Sequence, residues 1–276
     1  MKEVNTLKFG CFQGRLTQPW NDDLQCFPKY NWEKEFSIAS NCNLDFVEIL
    51  AERVHNPNNP IWSTEGNNLI RKAILSNKLE AYSACLDYTI ENSLFNNNFK
   101  SNEVLDYAIN FSRRLKNIGI KYFVLPLLEK SDLNFFSFNE VVDTLMALIN
   151  ECKTLDIVVL IESNLDAEKL FRYLDRINMD SLGCVFDTGN KTNISTVNKE
   201  ILILSRFIKH IHLKDKRNNS NVLLGTGTVD FLLILKTLKK ISYKGSFCFE
   251  TNRGKEPIDT MKHNLNFMKF LASEIY

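Results

Sequence analysis

Eight short runs of apolar, β-branched or aromatic residues recur along this chain, each followed by a longer stretch with helical periodicity. No other feature of the sequence limits its fold as strongly. The runs fall at 7–12, 45–49, 80–84, 122–126, 157–162, 183–186, 208–213 and 246–250. The helical stretches fall at 32–42, 68–77, 102–117, 139–154, 167–177, 196–206, 230–240 and 258–273. In the third of these, Val104, Leu105, Ala108, Ile109, Phe111 and Leu115 form one apolar stripe. Strands that are apolar along their whole length belong to a parallel sheet covered on both faces. Eight strand–helix units in 276 residues therefore predict an α/β fold, a single (β/α)8 TIM barrel occupying 1–276 as one domain. A doubly wound open sheet is the alternative, but it calls for a glycine-rich phosphate turn after the first strand. Gln13, Gly14, Arg15 and Leu16 stand there instead. The polar stretches 55–63 and 88–100, the second with the Asn tract 96–98, read as loops over one end of the barrel.

Charge narrows the partners. With 34 Lys and Arg against 33 Asp and Glu, the net charge is +1 and the basic residues are scattered, which disfavours nucleic acid and a charged membrane surface. The longest apolar runs, such as 122–128, are well short of the roughly 20 residues that span a bilayer. Residues 1–6 lack the order of a signal peptide, so a cytoplasmic location is expected. Seven cysteines, odd in number and without a CxxC pair, read as reduced, buried thiols.

In a barrel of this kind the chemistry sits at the carboxyl ends of the strands, so a polar residue closing an apolar strand is informative. Strand five closes on Glu162, strand six on Asp187 and strand eight on Glu250, while strand seven carries His210, His212, Lys214 and Asp215. A single strand-end acid can simply cap the next helix, and a lone histidine can belong to the core. Four consecutive strands delivering Glu, Asp, His and Glu to one rim are harder to explain that way. Three carboxylates and an imidazole would repel one another there unless a cation lay among them. Glu162, Asp187, His212 and Glu250 thus form a candidate site for one divalent metal ion, with an oxygen-rich donor set suited to Mn²⁺, Mg²⁺ or Co²⁺ and tolerant of Zn²⁺. His210 shares a strand face with His212, but His212 lies nearer the carboxyl end and is the better ligand.

With these residues in place, the chain resembles the sugar phosphate isomerase/epimerase group of the xylose isomerase-like TIM barrels. The resemblance runs through GCFQGRL at 10–16, the second strand with Glu48, YSACLDY at 82–88, Glu162, DTGN at 187–190, HIHLKD at 210–215, LGTGTVDF at 224–231 and Glu250. It implies that Glu162, Asp187, His212 and Glu250 bind the metal, and that Glu162 and Glu250 double as the acid/base pair. It also implies a small sugar or sugar phosphate as substrate, with Glu48, Asn190 and Arg217 as substrate-binding residues, and Lys214 and Arg253 join these candidates by their own positions at the carboxyl ends of strands seven and eight. Asn190 stands where related epimerases often carry a histidine, so it can hydrogen-bond a hydroxyl but cannot shuttle a proton. Gly225, Thr226 and Gly227 ahead of a helix, with Arg253 after strand eight, offer a place for a phosphate.

The chemistry expected from this set is proton removal next to a ketone on a ketose or ketose phosphate, through an enediolate, giving epimerisation or isomerisation. An apurinic endonuclease-like phosphodiesterase shares the barrel but needs more histidines than the four in this chain, and a polyol dehydratase would use the same metal set. A homo-oligomer is compatible with the sequence.

Overall fold

The computed structural model of the protein describes residues 7–17, 24–28, 30–95, 99–190, 196–218 and 220–276. The N-terminal residues 1–6 and the Asn tract 96–98 lie outside the described residues.

Among the described residues, eight parallel strands close into a barrel: β1 (Lys8–Phe12), β2 (Phe46–Ala51), β3 (Ser83–Leu86), β4 (Tyr122–Leu127), β5 (Val158–Ser163), β6 (Leu182–Asp187), β7 (Ile208–Leu213) and β10 (Ser246–Phe249). They neighbour one another in chain order, and β10 closes the circle against β1, pairing Gly10 with Cys248. The expected (β/α)8 barrel is therefore present. A small antiparallel hairpin, β8 (Asp215–Arg217) with β9 (Ser220–Val222), follows β7. Its polar residues carry no apolar run, which is why the sequence gives no strand signal there.

Two layers of apolar packing follow from the period of two along each strand. One set of side chains faces the helices and forms the large core with residues such as Phe36, Phe111, Leu145 and Leu235. The other set faces inward, where Phe12, Phe46, Leu50, Cys85, Val124, Leu160, Val185 and Cys248 fill the barrel. Gly10 is needed in that interior, because a Cβ there would meet the Phe46 ring at 2.3 Å. The barrel is thus a packed plug, and the site rests on it.

The helix signals resolve into caps and stripes. Helix α2 (Thr64–Ser76) begins where Ser63 accepts from the Gly66 N–H, and α5 (Phe138–Thr154) where Ser137 accepts from Glu140. Helix α4 (Phe99–Ile118) buries Val104, Ala108, Phe111 and Leu115 as its stripe requires. Part of the expected 88–100 loop is a short helix, α3 (Tyr88–Glu91), and Pro60–Trp62 forms a 3-10 turn within 55–63. All seven cysteines are free thiols, six of them buried. No helix among the described residues is long and apolar enough to cross a membrane.

The third strand lies further along the chain than 80–84. It runs Ser83–Leu86: Tyr82, stacked on Phe46 at 4.6 Å, lends its carbonyl to the Tyr122 N–H at 3.0 Å, and residue pairing with β4 begins at Ser83. That shift carries Asp87, rather than Ala84, to the carboxyl end.

Candidate active site

The end of β5 places Glu162, the end of β6 Asp187, the end of β7 His212, and the residue after β10 Glu250. One donor atom from each of these four buried side chains lies within 4.8 Å of the other three. The convergence expected from the strand ends is therefore met in space. Lys214 Nζ stands at the same rim, 2.7 Å from Asp187 Oδ2 and 2.8 Å from Glu250 Oε2.

The imidazole of His212 is fixed from below. Its Nε2 lies 2.9 Å from Glu48 Oε1, while His210 Nε2 lies 2.9 Å from Glu48 Oε2 and His210 Nδ1 lies 2.6 Å from Ser246 Oγ. With Nε2 engaged by Glu48, His212 turns Nδ1 up toward the mouth, 2.8 Å from Glu250 Oε2 and 3.7 Å from Glu162 Oε2. Both His212 Nδ1 and Glu250 Oε2 are buried, and among the described residues neither makes a contact with hydrogen-bond geometry, although Glu250 Oε2 lies at ion-pair distance from both His212 Nδ1 and Lys214 Nζ. A metal ligand held by a carboxylate on its far nitrogen, with its near nitrogen aimed at other acidic donors, is the arrangement metal-binding histidines use.

The electrostatics point the same way. Burial pushes Glu162 up to about 7, even with His212 and Lys214 beside it. Burial also opposes ionisation of Glu250, but Lys214 and His212 outweigh it and bring the carboxyl down to about 2. Burial would discharge His212, yet Glu48, Glu162 and Glu250 hold its basicity well above the ordinary imidazole range. The cluster therefore demands positive charge and draws a proton onto His212 to obtain it. A divalent cation meets the same demand and leaves Nδ1 as a donor.

Glu48, expected at the substrate, is wholly buried beneath these four side chains with both oxygens taken by the two imidazoles. As placed, it orients His212. A second group able to hold a cation, Glu48, His210, His212 and Cys248, lies in this lower layer. Because both nitrogens of His210 already have partners, we read that group as the hydrogen-bonded support of the upper one. Glu48→Gln is expected to weaken Mn²⁺ binding by roughly 10–100-fold, the usual effect of losing such a support. Calorimetric titration with Mn²⁺ checks this, and unchanged affinity would show that His212 is oriented without Glu48.

The remaining expected residues are dispersed. Lys214 is at the rim, as described. Asn190 is half-buried beside Asp187, whose Oδ1 accepts from the Gly189 and Asn190 N–H groups at 2.7 and 3.3 Å. Arg217 is exposed on the β8 strand and donates to the Thr226 carbonyl. Arg253 is buried, donating through Nε to the Gly14 carbonyl and through Nη2 to the Leu24 carbonyl at 2.9 Å. The turn at 225–227, considered for a phosphate, already holds a carboxylate. Asp215 Oδ2 accepts from Gly225 and Gly227 at 3.0 and 2.8 Å, and its Oδ1 accepts from Val229 at 3.1 Å.

Two features escaped the sequence reading. Arg15, fully buried after β1, donates to Gln25 Oε1, and Gln25 Nε2 in turn donates to Glu250 Oε1 at 3.0 Å. Arg15 and Arg253 both donate to the Leu24 carbonyl, so two guanidinium groups pin this segment beside Glu250. Asp87 is the other. It follows β3 with only 2 % of its surface exposed, accepts the Cys85 thiol on Oδ1 at 3.2 Å, and leaves Oδ2 without a hydrogen-bond partner among the described residues. Burial lifts its carboxyl to about 6, with the Glu250 charge adding to the rise and Arg53 and Lys214 opposing it. A strand boundary at Leu86 was the signal that would have found it.

Fold and site together define a (β/α)8 barrel with a carboxylate–imidazole centre at its C-terminal mouth. The chain belongs to the xylose isomerase-like TIM barrel family, whose sequence model matches residues 36–271. It is 24 % identical over 250 residues to SgbU of Haemophilus influenzae, by its name a proposed L-ribulose-5-phosphate 3-epimerase, covering 82 % of this chain and 86 % of that one. Among solved structures, D-psicose 3-epimerase from Clostridium cellulolyticum H10, determined with D-tagatose, superposes with a TM-score of 0.78 at 13 % identity, covering 96 % of this chain and 99 % of the other. The IOLI protein with a bound zinc atom superposes with a TM-score of 0.74 at 15 % identity, covering 98 % and 99 %. At such identities these two structures establish the shared fold.

Proposed function

We propose that the protein is a divalent-metal-dependent epimerase or isomerase of ketoses, acting by proton transfer at the carbon next to the carbonyl. The observation that carries this reading is His212 Nδ1, aimed at Glu162 and Glu250 and anchored behind by Glu48. Named relatives among sugar epimerases support it.

Glu162, Asp187, His212 and Glu250 would hold the ion, and their set of three oxygen donors and one nitrogen fits Mn²⁺, Mg²⁺, Co²⁺ or Zn²⁺. When bound, a divalent cation supplies electrophilic stabilisation for the negative charge that develops on substrate oxygen as the proton leaves. The residues do the rest. Glu162 and Glu250 stand on opposite sides of His212, so a flat, deprotonated carbon between them can lose a proton to one and regain it from the other. Burial raises the Glu162 carboxyl to about 7 in the metal-free protein, and a bound cation would favour its carboxylate form, which can accept the proton. Lys214, held by Asp187 and Glu250, places a fixed positive charge where a substrate oxygen gains negative charge. The barrel plug closes the site from beneath, and Arg15 and Arg253 hold the Leu24–Gln25 segment at its edge.

Incubating the purified protein with Mn²⁺ and a panel of free and phosphorylated pentuloses and hexuloses tests the reading. The expected result is an epimeric or isomeric sugar formed only when metal is present. No conversion of any panel member by metal-loaded protein would contradict it.

A further inference from the structure

We infer that Asp87 binds the hydroxyl at the far end of the substrate, and that the site therefore prefers a free ketose to its terminal phosphate ester. This rests on the ketose reading above and extends it to the substrate's other end.

Cys85 points into the barrel, where it packs with Leu50, Val124 and Leu160. Two residues further on, Asp87 lies on the same side, as the contact between the Cys85 thiol and its Oδ1 confirms. The register places it at the level of the reacting groups. Cys85 pairs with Val124 and Pro126 with Glu162, so Asp87, Pro126 and Glu162 occupy one row across three strands. At roughly 4.8 Å per strand, Asp87 sits about 10 Å from Glu162 along the wall, on the side of the mouth away from His212 and Glu250. A sugar whose carbonyl end lies among Glu162, His212 and Glu250 must extend its other end toward this wall. A cavity of about 1210 Å³, lined by Gln25, Glu52, Arg53, Tyr88, Lys100 and Lys130 among others, opens beside Tyr88, the chain neighbour of Asp87.

A buried carboxylate oxygen without a donor is costly, and native proteins keep such groups where a ligand completes them. A hydroxyl supplies the missing donor, whereas a phosphate brings negative charge onto negative charge. Of the three Lys and Arg side chains that line this cavity, two are paired with carboxylates and the third, Lys100, is exposed to solvent. Arg53 pairs with Glu129 at 2.8 Å and Glu91 at 3.1 Å, and Lys130 pairs with Glu91 at 2.8 Å. The turn at 225–227, on the opposite side, is filled by Asp215.

Calorimetric titration of the Mn²⁺-loaded protein with L-ribulose and with L-ribulose 5-phosphate provides the test. The native protein is expected to bind the free sugar tighter by roughly tenfold or more, the scale on which buried polar groups discriminate. Asp87→Asn keeps the shape and a hydrogen-bonding group but removes the charge, so it should narrow that preference to about threefold or less; Asp87→Ser should do the same. A retained Mn²⁺-induced melting shift in both variants shows that they are folded and metal-bound. Tighter binding of the phosphate by native protein, or an unchanged preference in both variants, overturns the assignment of Asp87 and leaves the ketose reading standing. Binding of neither sugar by native, metal-loaded protein overturns the ketose reading and this inference with it.

Discussion

Glu162→Gln and Glu250→Gln are each expected to lower ketose turnover by roughly 10²–10⁴, the contribution of a positioned general acid or base. Glutamine preserves side-chain length and one oxygen donor but cannot accept the proton. The two variants should also differ from each other. In the metal-free protein Glu250 is held low by Lys214 and His212, whereas burial raises Glu162 to about 7, so the two carboxyls differ in how readily they hold a proton. At least one variant should therefore retain proton exchange on the face served by its surviving glutamate while losing conversion. Steady-state assays of both variants check the loss, and full activity in both would remove these residues from the mechanism.

Addition of Mn²⁺ is expected to raise the melting temperature, and Asp187→Ala should abolish the rise. A ligand bound only by the native state at a hundredfold excess over Kd adds about 2.7 kcal/mol, or roughly 5–10 °C for a chain of this size. The effect depends on pH with a definite sign. Because the carboxyl of Glu162 is raised in the folded state above its unfolded value, the metal-free fold binds more protons than the unfolded chain between about 4.5 and 7, and loses stability as pH rises through that window. Metal binding needs the carboxylate, so the Mn²⁺-induced shift should be large at pH 8 and shrink below about 7. Differential scanning fluorimetry at pH 6 and pH 8, with and without Mn²⁺, checks both statements. A shift that is the same in Asp187→Ala would place the ion elsewhere.

Much of this site is legible in sequence because a (β/α)8 barrel turns one-dimensional position into three-dimensional place: whatever ends an apolar strand arrives at one rim. Glu162, Asp187, His212 and Glu250 each end or follow such a strand, and they converge. What stayed hidden did so for physical reasons. Glu48 lies in mid-strand, where nothing in the chain signals that its partners are histidines more than 160 positions away. Asp87 was displaced from notice by Tyr82, whose aromatic ring suggests a strand centre although it packs at the barrel's foot. Arg253 looks like an anion-binding residue in sequence, yet the β1 segment offers it backbone carbonyls that no pattern of residues announces. The turn at 225–227 offers N–H groups, but the sequence does not show that Asp215 folds back to take them.

Deuterium incorporation from solvent is the most direct measurement of the central claim, that Glu162 and Glu250 exchange a proton at the carbon beside a carbonyl. With metal-loaded protein and a converted ketose in D₂O, the account predicts one deuteron at that carbon in the product, seen by NMR as loss of its proton signal. It further predicts that one-sided exchange into the substrate persists in at least one of Glu162→Gln and Glu250→Gln. Conversion without any deuterium at that carbon would point to hydride transfer and contradict the mechanism.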